Sequence, residues 1–166
     1  MNMTRSRSFG LGLLALVALV GCDHVTKHVA KADLQGRPPQ ALIGSKVDSV
    51  LDLRYVENTD VAFNLMRAVP EGTRAPLLLA TGLLGCVTLL VLLAWRPRRP
   101  AVQAALLLVA AGALGNTLDR VARGYVVDFI HVRHWPVFNV ADICVTAGAV
   151  LIVWTTLRRP VQPVAS

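Results

Sequence analysis

Apolar residues are concentrated in four long runs, separated by three connections of different character. The first run covers residues 9–30; it follows a short basic start carrying Arg5 and Arg7 and continues past Cys22 into Asp23, His24, Lys27 and His28. Residues 75–95 form the cleanest run, without a single charge, and end at Arg96, Pro97, Arg98, Arg99 and Pro100. Residues 101–118 are rich in Ala and Gly, which lets a helix approach its neighbours closely. Residues 140–157 form the last run, stopped by Arg158, Arg159 and Pro160. A helix needs roughly 20 apolar residues to cross a bilayer, so the pattern predicts four transmembrane helices at these positions.

The connections differ. Residues 34–72 contain Gly36, Pro38, Pro39 and Gly44 and then alternate loosely through Val47, Val50, Leu51, Leu53, Tyr55 and Val56, which predicts short strands. The stretch is too small to build a core of its own. It is expected to form a small periplasmic β-cradle between helices 1 and 2, resting on the membrane surface. Residues 119–139 are expected to be a loop on the same side. The predicted fold class is therefore a membrane protein, mostly α, forming a single domain over residues 1–166.

Composition reinforces the membrane assignment: 54% of the 166 residues are hydrophobic and 16% charged, with mean hydropathy +0.54. A soluble domain is less apolar and more charged. The net charge of +7 does not point to nucleic acid, because the basic residues form no long run with interleaved aromatics; the expected partner is membrane lipid. Cys22, Cys86 and Cys144 all lie in apolar runs and form no Cys-x-x-Cys pair. Leu19-Val20-Gly21-Cys22 looks like a lipoprotein cleavage site, but further spans follow it, so a retained first helix is expected. The alternative is a lipoprotein anchored through Cys22.

Basic residues without acids flank the amino-terminal start, the central hairpin and the carboxyl-terminal end, which puts those three in the cytosol. In a four-span chain the polar residues Asp23, Lys27, Asn58, Asn116, Asp119, Arg120, Asp128, Asn139 and Asp142 then share the opposite side. Ionisable residues beside hydrocarbon-grade sequence are expensive and mark a site. Asp23 and Lys27 stand at i, i+4, a spacing that permits an ion pair. His24 and His28 share that spacing, but no His-Glu-x-x-His is present, and they read as solvated interface histidines. For Asp119 and Arg120 a hydrated helix collar remains open beside a functional role, and Asp119 beside Arg120 suits a paired, permanently charged support.

Two carboxylates in one partly dehydrated site cannot both ionise cheaply, so such a pair can act as base and acid together. Asp128, between Val126-Val127 and Phe129, and Asp142, in the first turn of the last helix, suit this best. A serine nucleophile is poorly supported, since Ser45 and Ser49 have no placed His or Lys. A non-enzymatic scaffold or transporter subunit is the alternative; an ion path would spread its ionisable residues through the bilayer midplane, whereas here they cluster at one end.

Four ordered motifs add to this reading. They are Asp23-x-x-Thr26-Lys27; Asn58-Thr59-x-x-Ala62-Phe63; Gly112-Ala-Leu-Gly115-Asn116-x-x-Asp119-Arg120 with Gly124-x-Val126-Val127-Asp128-Phe129; and Phe138-Asn139-Val140-Ala141-Asp142. Together they resemble the lipoprotein signal peptidases (bacterial signal peptidase II), integral-membrane aspartyl peptidases, over nearly the whole chain. The resemblance implies a catalytic pair of Asp128 and Asp142. It implies that Asp23, Asn58, Asn116, Arg120 and Asn139 line or support a substrate groove, with Lys27 and Asp119 as structural partners. It implies a lipid-modified prolipoprotein as substrate, cut just before its diacylglyceryl cysteine at the outer surface of the inner membrane, and no metal or organic cofactor. A monomer is expected. The chain departs from the family at Asp60 and Val61, where Gly and Ala are usual; Asp tolerates a left-handed turn better than most residues, and the change bears on the loop's fit to substrate.

Overall fold

The computed structural model describes residues 3–45, 48–59, 70–95 and 99–158. Four helices and three strands follow in the order α1 (Met3–Leu34), β1 (Gln40–Gly44), β2 (Ser49–Asn58), α2 (Glu71–Trp95), α3 (Pro100–Arg123), β3 (Val126–Val132) and α4 (Val140–Leu157). Among the described residues, three helices are long and apolar enough to cross a membrane: 10–34 of α1, α3 and α4. The Asp60-Val61-Ala62-Phe63 segment and the Arg96-Pro97-Arg98 hairpin lie outside the described residues.

The helices are built for an apolar surround. Along α1, Leu11, Leu14, Val17, Val25 and Val29 face outward, while Asp23 and Lys27 are buried. Water would invert this arrangement; hydrocarbon stabilises it. Helix α3 packs against α1, α2 and α4, and small residues make that possible. A Cβ on Gly115 would stand 2.7 Å from Asp23 Oδ2, and one on Gly112 would collide with the Ala141 carbonyl. The Gly112-x-x-Gly115 spacing thus brings α1 and α4 against one face of α3.

The sheet runs β1-β2-β3, both pairings antiparallel. Its third strand corrects the expected layout: the β element is completed by the α3–α4 connection, which was expected to be a loop, and is not confined to the α1–α2 connection. Strand β3 is buried on both faces along Val126, Val127, Asp128 and Phe129, so it lacks the period-two signature of a half-exposed strand. Helix α3 also runs on past 118 to Arg123, because Asp119 is neutralised inside the bundle and does not end the span. Its stop is Gly124, at φ 79°, whose N–H reaches the Arg120 carbonyl. Pairing of Val56 with Asp128 and of Asn58 with Val126 fixes where the β3 carboxylate sits. Beyond β3, Phe138 exchanges both backbone hydrogen bonds with Ile130, at 2.8 and 2.9 Å, and delivers the chain to Asn139.

Candidate active site

Helix α4 begins with a reciprocal cap. Asn139 Oδ1 accepts from the Asp142 N–H at 3.0 Å, and Asp142 Oδ2 accepts from the Asn139 N–H at 3.1 Å. Asp142 thereby stands in the first helical turn, where the dipole and unpaired N–H groups favour a negative charge. The Asn139 side chain, fully buried, also donates to Asp128 Oδ1 at 2.7 Å. The other Asp128 oxygen accepts from Asn58 Nδ2 at 2.8 Å, across the β2–β3 pair. Asn116, on α3, donates to Asp142 Oδ1 at 2.8 Å and accepts from Asn139 Nδ2 at 3.1 Å. Two carboxylates are thus joined through two carboxamides.

Asp128 is 2% exposed, and burial pushes its carboxyl up to about 6. The Asn58 and Asn139 hydrogen bonds pull the other way, while the nearby Asp142 charge adds to the rise. One member of the pair is therefore poised to hold a proton near neutral pH.

Beneath this pair lies a charged pedestal. Lys27 Nζ is 2.7 Å from Asp23 Oδ2 and 3.0 Å from Asp119 Oδ2, and it donates to Asn116 Oδ1 at 3.0 Å. Asp23 Oδ1 accepts from the Ala141 backbone N–H at 2.8 Å, tying α1 to the first turn of α4. Asp119 is also 3.0 Å from Arg123 Nη1 and accepts from the Val127 N–H at 3.3 Å. Asp119 is thus paired with Lys27 and with Arg123. Arg120 is half-buried; its Nη1 donates to the Asn116 carbonyl at 3.4 Å, and its charge lies within electrostatic reach of Asp142, Asp128 and Asp119. His24 places its ring nitrogens 3.9 Å from Asp23 and from Asp119.

All nine singled-out residues therefore occur in one connected assembly drawn from α1, β2, α3, β3 and α4. Asp23, Lys27 and Asp119 are buried within the bundle. Two further charged features carry little signal in the sequence. Arg123 lies one turn beyond the predicted end of its span. On the sheet, buried Asp52 accepts from Ser49 Oγ at 2.6 Å, from Arg54 Nε and Nη2 at 2.7 and 2.8 Å, and lies 3.0 Å from His131 Nδ1. The i, i+2 spacing of Asp52 and Arg54 on one strand was the available signal. The Arg54 contact, ahead of Ser49 and His131, holds the Asp52 carboxyl well below the usual carboxylate range.

Residues 15–158 match the family model described as Signal peptidase (SPase) II. The chain belongs to the signal peptidase II family. The lipoprotein signal peptidase of Moorella thermoacetica is 35% identical over 148 residues, covering 87% of this chain and 91% of that protein. The lipoprotein signal peptidase of Paraburkholderia phytofirmans is 38% identical over 121 residues, 70% of each chain. A bacterial membrane enzyme solved by the in meso method at 1.9 Å resolution superposes with a TM-score of 0.76 at 26% identity, covering 91% of this chain and 95% of that one. Family membership makes the chain a membrane-embedded peptidase, and the non-enzymatic scaffold is not favoured.

Proposed function

We propose that this signal peptidase II is an aspartic endopeptidase that removes the signal peptide of diacylglyceryl-modified prolipoproteins just before the lipidated cysteine. The observation that carries the aspartic mechanism is the Asn139-bridged pair, Asp128 and Asp142, with Asp128 served by carboxamides and raised by burial. In the reaction the ionised carboxylate takes a proton from water as the oxygen attacks the scissile carbonyl. The protonated partner gives its proton to the leaving nitrogen as the C–N bond breaks. The pair ends with one proton, as it began, and no covalent intermediate forms.

Arg120 and Asn58 are assigned to orienting the substrate backbone, with Asn116 and Asn139 holding the dyad and Asp23, Lys27 and Asp119 supporting it. In this reading α2 is a fourth span, both chain ends face the cytosol, and the sheet rests on the periplasmic surface of the inner membrane. The enzyme acts as a monomer without metal or organic cofactor. The basic flanks and the gathering of the dyad, sheet and pedestal at one end of the helices support this orientation.

The test is cleavage of a synthetic prolipoprotein by purified protein in detergent, read by mass. A cut immediately before the diacylglyceryl cysteine, with the unmodified peptide left intact, is expected. Equal cleavage of both peptides, or a cut elsewhere, would overturn the substrate assignment.

A further inference from the structure

We propose that Lys27 is a positioning residue for the dyad: its ammonium dictates which way the Asn116 carboxamide faces, so that Asn116 donates to Asp142. This rests on the dyad reading above. An ammonium carries donors only. The Asn116 atom 3.0 Å from Lys27 Nζ is therefore the oxygen, which also accepts from Asn139 Nδ2 at 3.1 Å. The amide nitrogen is left facing Asp142 Oδ1 at 2.8 Å. A flipped Asn116 would set its NH2 against two donors and its oxygen against a carboxylate oxygen, making all three contacts repulsive.

Asn139 needs no such cation, because the Asp142 backbone N–H donates to its Oδ1 and fixes it. Lys27 gives Asn116 the orientation that the backbone gives Asn139. The ammonium has three donors: two meet Asp23 and Asp119, and the third goes to Asn116. A plain counter-ion to the two aspartates would not require that third contact. Without Lys27, two buried carboxylates would draw the Asn116 NH2 inward and away from Asp142.

The relayed N–H meets Asp142 Oδ1 and the Asn139 N–H meets Oδ2, so both oxygens of this carboxyl face donors, the arrangement an acceptor takes. With both its oxygens facing donors, Asp142 is assigned the base of the pair, and Asp128 the acid. The other charged groups facing this chain are His24, Arg123 and Arg120, the last through its contact with the Asn116 carbonyl.

The experiment measures kcat/KM against pH, on the diacylglyceryl peptide, for Lys27→Met/Asp119→Asn, for Asp119→Asn and for Asn116→Leu. The double variant removes one charge of each sign. It and Asn116→Leu should move the acid limb of the profile to higher pH by about one unit, a tenfold change in the ionised fraction on that limb. Asp119→Asn keeps Lys27 on Asn116 and should leave the limb where the parent has it. A double variant that loses activity equally at every pH, or an Asp119→Asn limb displaced as far, would reduce Lys27 to a counter-ion. Should the double variant not fold, Asn116→Leu leaves every charge in place, and an unmoved limb there overturns the proposal by itself. Asp142→Asn separates the two levels: an active variant removes the dyad, whereas an inactive one beside an unmoved Asn116→Leu limb removes only the relay.

Discussion

Asp52 and Asp128 are both buried aspartates on the same three-stranded sheet, and their surroundings push them in opposite directions. Asp52 meets a guanidinium, an imidazole and a hydroxyl, and its carboxyl is held well below the usual range. Asp128 meets two carboxamides and the negative field of Asp142, and it is pushed up to about 6. Burial raises both; the partner decides the outcome. A cation turns a buried carboxylate into a permanent anion that joins strands. Neutral amides hold its geometry while leaving its proton free to move, as acid–base chemistry requires.

The largest expected effect comes from removing the two carboxylates proposed to exchange the proton. Asp128→Asn and Asp142→Asn should each lower kcat by about 10²–10⁴-fold in correctly inserted protein, measured on the diacylglyceryl peptide. Residues acting as a unit show non-additive losses, so the double variant should be scarcely worse than either single one. Near-parent turnover by either single variant would remove the distinction between Asp128 and Asp52.

A second change asks whether Asp128 can be made to resemble Asp52. Asn58→Lys sets an ammonium beside the Asp128 oxygen that now accepts from an amide. An adjacent cation lowers a carboxyl by about 1–3 units, so Asp128 should lose its proton near neutral pH and turnover should fall by at least about tenfold. Unchanged turnover would mean that the identity of the partner does not govern this carboxylate.

The smallest effect on activity is expected at Asp52. Asp52→Asn should leave kcat/KM close to the parent's and cost about 2 kcal/mol of stability, the scale of a lost charge-assisted hydrogen bond. Its pH dependence has a definite sign. The folded carboxyl lies below the ordinary 3.8, so the stabilisation is fully present above that value and lost as pH falls below it. Thermal melts of parent and variant should differ at neutral pH and converge in acid. A variant with parent-like melting at neutral pH would show that the cluster does not stabilise the sheet.

Much of the fold and most of the site could be read from the chain because hydrocarbon makes charges conspicuous. Asp23, Lys27, Asn116 and Asp142 stood out against apolar helical sequence, and the structure brings them within hydrogen-bonding distance of one another or of shared partners. What was not legible depends on contacts distant in sequence. Strand β3 is buried on both faces and shows no alternation, so its pairing with β2 left no local sign. The apolar run ends at Leu118, whereas α3 continues to Arg123; Asp119 and Arg123 stay helical through the Lys27 ion pair and their own i, i+4 contact. His131 joins Asp52 from 79 residues away, a partnership that no spacing rule reaches.

The central claim, that Asp128 holds the pair's proton because burial and Asp142 raise it, is tested most directly by titrating that one carboxyl. Site-resolved ¹³C NMR of the Asp128 carboxyl, in purified protein in detergent, should give a midpoint of about 6 in the parent. The midpoint should move down towards the ordinary 3.8 when Asp142→Asn removes the neighbouring charge. A parent midpoint at or below 3.8, or one indifferent to Asp142→Asn, would contradict the account.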